Sequence, residues 1–152
     1  MKKLLFTCLA ITVIFAACKK EEEPPTNNNN NPPTTYAFSC KIDGADFTDN
    51  NPVASVNAST DVLTIDAENG GNTIRMVIYN FSYRNVDEEI SFDFPNRAYI
   101  TLGTNEYTNN PIGQLIFSDI GNLLSGTFNV ICQDASFYEA KVTEGKFVDV
   151  AY

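Results

Sequence analysis

The 152 residues are 43% hydrophobic and 12% aromatic, which is enough apolar surface for a packed core and excludes a chain disordered throughout. There is no His and no Trp, so mechanisms built on an imidazole base are excluded, as are the usual His-containing zinc sites. Between residues 36 and 152, sixteen acidic residues stand against six basic ones, a net charge of −10 that repels phosphate backbones and argues against a nucleic-acid partner.

Met1-Lys2-Lys3 is a short basic stretch, and Leu4 to Ala17 is an apolar run broken only by Thr7, Cys8 and Thr12. This is the layout of a secretory signal over residues 1–17, and it is shorter than the roughly 20 apolar residues that span a bilayer as a helix. Phe15-Ala16-Ala17-Cys18 resembles the bacterial lipobox, which implies cleavage before Cys18 and lipidation of its thiol. Residues 18–35 continue as Lys19-Lys20-Glu21-Glu22-Glu23, two proline pairs and five consecutive Asn, a composition that buries nothing and reads as a disordered tether. The acidic triplet directly after Cys18 resembles the lipoprotein export signal of Bacteroidota. It implies an outer-membrane protein facing the cell exterior, with the periplasmic face as the alternative if the charge merely solubilises the tether.

From residue 36 to 152 apolar residues recur at every second position, and no stretch sustains a 3.6-residue period, which predicts a single all-β domain. The expected strands, about nine, are 36–42, 53–58, 62–67, 73–80, 89–94, 97–102, 114–119, 124–133 and 137–152. Turn chemistry separates them at Asp43-Gly44, Ser59-Thr60-Asp61, Asn69-Gly70-Gly71-Asn72, Pro95-Asn96 and Gly121-Asn122. Such short connections require antiparallel pairing. Glu144-Gly145 is expected to interrupt the last strand with a bulge or turn. One-sided alternation points to an antiparallel β-sandwich, with a closed calycin-like barrel as the alternative.

Alternation places Cys40 and Cys132 on inward faces. In an oxidising compartment they are either joined as a disulfide between the first and eighth strands or buried as two free thiols. Candidate binding groups are few. Asp66, Glu68, Asn69 and Asn72 gather oxygen ligands around one hairpin, the chemistry calcium prefers, although no known calcium-loop spacing accompanies them. Two cysteines without His do not complete a zinc site, and no organic cofactor is implied. Tyr79, Tyr83, Tyr99 and Tyr107 are expected on outward parity or in loops, where they suit stacking on sugars or a protein interface, or simply cover sheet surface. Asp87-Glu88-Glu89, Asp61 with Asp66 and Glu68, and Asp46 with Asp49 are the carboxylate pairs a hydrolase could use, if two converged in a cleft.

Four segments, Cys40-Lys41-Ile42-Asp43-Gly44-Ala45-Asp46-Phe47, Asn69 to Asn72, Leu124-Ser125-Gly126-Thr127-Phe128 and Glu144-Gly145-Lys146-Phe147, resemble a family of short Bacteroidota lipoproteins classed as a domain of unknown function. The resemblance implies a small secreted β-domain and carries over no active-site residue. The expectation is therefore a lipid-anchored, non-catalytic binding or adhesion module for an external protein or glycan. The alternatives are a barrel carrying a small apolar ligand, with room left by Ala67, Ala98 and Ala140, and a carboxylate-pair hydrolase.

Overall fold

The computed structural model describes residues 37–152. The signal, Cys18, the tether and Tyr36 lie outside the described residues.

Strands β1 (Phe38–Ile42) and β2 (Ala45–Asp49) form a hairpin across Asp43-Gly44, whose φ values of 50° and 86° give the left-handed pair a tight two-residue turn requires. β3 (Val53–Asn57), β4 (Val62–Asn69) and β5 (Asn72–Tyr79) form a meander, and β4 turns into β5 through Gly70-Gly71 at φ 59° and 82°. A 3-10 turn at Phe81–Tyr83 leads to β6 (Glu89–Ser91), followed by β7 (Arg97–Leu102), β8 (Asn105–Tyr107), β9 (Asn109–Ile120), β10 (Leu123–Gln133) and β11 (Glu139–Ala151).

Two open sheets result: six strands in the order β2-β1-β11-β10-β9-β6, and five in the order β3-β4-β5-β7-β8, every pairing antiparallel. This is the expected sandwich, so the closed-barrel alternative is corrected. β2 and β6 remain the edges of one sheet and β3 and β8 of the other. Ala67, Ala98 and Ala140 are buried in one cluster with Phe38, Phe117 and Phe147 from the larger sheet and Leu63, Ile74 and Met76 from the smaller.

In the larger sheet two glycines and two phenylalanines interlock across β10 and β11. Gly126 lies opposite Phe147 and Phe128 opposite Gly145, so each ring covers the bare backbone of the facing strand. The expected interruption at Glu144-Gly145 is a bulge: Glu144 sits at φ 54°, and the register shifts there against both β1 and β10.

Eleven strands form where about nine were expected. β2 carries no apolar period because Phe47 is its one buried residue, and β8 carries none because Asn105-Glu106-Tyr107 is short and polar. β9 begins five residues before the expected Gln114, through a Pro- and Gly-containing stretch that carries no strand signal. The strand expected over 89–94 is regular only to Ser91, although the Phe92 N–H still donates to the Gly113 carbonyl at 3.1 Å.

Cys40 and Cys132 are free thiols, 5% and 0% exposed. The register explains why the disulfide alternative fails. β11 lies between their strands; Cys132 pairs with Ala140, whereas Cys40 falls between the partners of Lys146 and Thr143. Two strand spacings combined with a four-residue offset place the two Cα atoms roughly 16 Å apart, beyond the roughly 7 Å limit for a bridge. Burial pushes both thiols up to about 12, and the Cys132 Sγ–H donates to the Ala98 carbonyl at 3.4 Å.

Candidate functional site

The outer face of the five-stranded sheet carries an open groove of about 1110 Å3. Its floor follows from alternation: the residues of β4 and β5 that do not enter the core point outward, and the Gly70-Gly71 hairpin fixes which of them meet. Val53, Asp66, Arg75 and Tyr99 form one row across four strands. Ser55, Thr64 and Val77 form the row on one side of it, and Glu68, Thr73 and Thr101 the row on the other.

At the centre Arg75 clamps Asp66 side-on, Nε to Oδ1 at 2.6 Å and Nη2 to Oδ2 at 3.2 Å. Its hydrogen bond to Asp66, and then the Asp66 charge, raise the Arg75 pKa above the usual guanidinium value. One wall comes from the crossover between β2 and β3. The Glu68 N–H donates to Asp49 Oδ2 at 2.8 Å, the Asn51 N–H donates to Asp49 Oδ1 at 2.8 Å, and Asn69 Nδ2 donates to the Thr48 carbonyl at 2.8 Å. These bonds hold Asp49 and Asn51 at the groove's edge. Beyond Tyr79 the surface continues into a second hollow of about 300 Å3 that shares Ser55, Thr64 and Tyr79 with the first.

Of the four tyrosines singled out from sequence, the groove gathers two, Tyr79 and Tyr99. Tyr83 is 80% exposed on the 3-10 turn and does not line it. Tyr107 corrects the sequence reading: it lies opposite the fully buried Ile100, and directly opposed residues of an antiparallel pair share a face, so it packs inward against the core. Arg75 and the hydroxyl rows were missed, although the two-residue Gly-Gly turn sets Asn69 against Asn72 and thereby Asp66 against Arg75, a register that could have been counted out.

The four oxygen ligands proposed for calcium do not converge. Asp66 is engaged by Arg75, Asn69 donates to Thr48, and Asn72 Oδ1 accepts the Gly103 N–H at 3.0 Å; no metal-binding acidic cluster occurs among the described residues. Two of the carboxylates named from sequence, Asp61 and Glu88, are engaged locally. Asp61 accepts from the Ser82 N–H and hydroxyl at 3.0 and 2.8 Å, holding the 3-10 turn. The Asn85 N–H and the Arg84 guanidinium keep Glu88 below the ordinary carboxyl range, the opposite of a catalytic acid.

Comparison with protein-family models, with curated proteins and with solved structures found no match for this chain. Fold and site together define an open antiparallel β-sandwich with one polar, aromatic-flanked outer groove.

Proposed function

We propose that this protein is a lipid-anchored lipoprotein of the outer membrane, one of the Bacteroidota kind its turn motifs resemble, and that it works as a non-catalytic binding module facing the cell exterior. The contact surface is the outer face of the five-stranded sheet. The observation that carries this reading is the groove itself: half-exposed Tyr79 and Tyr99 frame a charged pair and two rows of hydroxyls on a rigid sheet. Charge limits the partner. Asp49, Asp66 and Glu68 outnumber Arg75 in the groove, so an anionic partner is disfavoured.

Two measurements test this. Cys18→Ala is expected to shift the protein from the membrane to the soluble fraction. Replacing Glu21, Glu22 and Glu23 with Ala is expected to leave anchoring intact while protecting the domain from protease added outside intact cells. A Cys18→Ala chain that stays membrane-bound refutes the anchor, and unchanged protease sensitivity refutes the export signal. For the face, a photo-crosslinking group at Thr73, in the groove, is expected to capture an external partner on intact cells. The same group at Thr127, on the outer face of the other sheet, is not; equal capture refutes the assignment.

A further inference from the structure

Resting on the reading that this face is the contact surface, we infer that the groove takes a linear, uncharged polysaccharide lying along the strands of β4 and β5, stacked on Tyr99 and Tyr79 and bridged by Asp66 and Arg75.

The groove suits an extended occupant better than a compact one. It is open, exceeds the roughly 300–1,000 Å3 of ordinary enclosed ligand pockets, and continues past Tyr79 into the adjoining hollow, so its natural occupant is a chain. Its long axis follows the strands. Tyr99 pairs with Arg75, four residues along β5 from Tyr79, so the two tyrosine Cα atoms are about 14 Å apart along and across the sheet. That separation suits an extended polymer touching both rings and is too long for a single sugar.

The chemistry of the floor selects sugar over peptide. The core of a protein-binding patch is depleted in Asp, Glu, Lys and Ser. Here the centre is an ion pair, the flanking rows are mainly Ser, Thr and Glu, and the outward aliphatic side chains are Val53 and Val77, in addition to the two rings. The Asp66–Arg75 clamp leaves Nη1 of the guanidinium outside the pair and acceptor capacity on both carboxylate oxygens, so it presents a donor and acceptors in fixed positions. A vicinal diol, in which each hydroxyl both donates and accepts, is the complement of that arrangement. Tyrosine rings supply flat apolar faces for the C–H side of a pyranose at small entropic cost, since each has two side-chain torsions.

The charge of the groove selects neutral sugars. Three carboxylates against one guanidinium repel uronate, sulfate and phosphate substituents, and the net charge of −10 over residues 36–152 adds to that field.

The test uses the full mature chain in detergent and affinity electrophoresis through gels containing one polymer each: xyloglucan, mixed-linkage β-glucan, galactomannan, amylopectin, and as anionic controls polygalacturonate and heparin. Retardation is expected in at least one neutral gel and in neither anionic gel. In that gel Tyr99→Ala and Arg75→Gln are each expected to weaken binding about tenfold or more, whereas Tyr99→Phe binds as the parent does. A thermal melt of each variant confirms that it is folded. Retardation by no neutral polymer, preference for an anionic one, or unchanged binding of folded Tyr99→Ala overturns the inference. If the groove crosslinker at Thr73 captures a protein while every neutral gel is blank, the contact face stands and the polysaccharide falls; if neither responds, both fall.

Discussion

Adding a single methyl group at Gly145 or Gly126 should be among the most destabilising changes available to this domain. Neither glycine has positive φ, so the penalty is steric rather than conformational. A Cβ at Gly145 would lie 2.5 Å from the Phe128 carbonyl oxygen and 2.6 Å from its ring; at Gly126 it would lie 2.5 Å from the Ile116 carbonyl oxygen and 2.6 Å from the tip of the Phe147 ring. Ordinary contact begins near 3.4 Å, so either the neighbouring strand moves or a ring leaves a core in which Phe147 is fully buried and Phe128 nearly so. Overpacking of this kind costs about 1–3 kcal/mol, and simultaneous collision with backbone and ring places these sites at the upper end, about 3 kcal/mol. For the 116 described residues, an unfolding entropy of about 2.1 cal/mol/K per residue converts 3 kcal/mol into a fall in Tm of about 12 °C. Thermal unfolding followed by circular dichroism measures it. The double variant Gly145→Ala/Phe128→Leu should be less destabilised than the sum of the singles, because trimming the ring removes one of the two collisions. A loss of less than about 1 kcal/mol in either glycine variant would refute the interlock.

Two further outcomes follow from buried and capped groups. In the mature chain carrying Cys18→Ala, Cys40 and Cys132 should react with a thiol reagent only after unfolding, and a reductant should leave Tm unchanged. Because their folded pKa is raised to about 12 from 9.0, their contribution to stability is complete below pH 9 and is lost as pH rises from about 9 to 12, by roughly 1.4 kcal/mol per pH unit for each thiol. Cys132→Ala should flatten that alkaline limb, and an unchanged slope would contradict burial as the cause. Glu88 is shifted the other way, so its contribution is present above its unfolded value near 4.5 and is lost as pH falls below it. Glu88→Gln should therefore destabilise at neutral pH and change little at pH 3 in a denaturant titration.

How much could be read from sequence depended on how many inward side chains each element contributes. β4 and β5 bury three residues apiece at strict alternation and are joined by two glycines, so strands, turn and register were all legible. β2 offers one buried phenylalanine among polar neighbours, and β8 offers Tyr107 alone, so neither carries a period. Missing β8 reversed the facing of Tyr107, because a residue read as loop has no parity to count. Tyr79 and Tyr99 were legible as outward residues, but their meeting in one groove depends on the pairing of β5 with β7 across the 3-10 turn and β6, a non-local contact that periodicity does not encode. The cysteines illustrate the same boundary: inward facing was readable from alternation, whereas the intervening β11 and the four-residue offset were not.

The two sheets differ in the regularity of their strand pairing. In the six-stranded sheet three pairings carry register shifts, at Ser39/Lys41, Leu124/Gly126 with Phe128/Val130, and Ser125/Gly126 with Ile131/Gln133. Each shift twists a strand and breaks the alignment of outward side chains. The pairings of β3 with β4, β4 with β5 and β5 with β7 run without a shift, so outward residues stand in straight rows at the strand spacing of about 4.8 Å. Straight rows on a stiff sheet repeat similar hydroxyl positions from strand to strand, and a polymer of repeating units can engage such a surface without ordering any loop on arrival. The bulges and Gly–Phe locks are confined to the sheet whose outer face lacks the groove. If a shift were engineered into β4, for instance by inserting one residue after Thr64, the rows from Asp66 onward would turn inside out. The groove would then lose its clamp while the six-stranded sheet kept its own pairings.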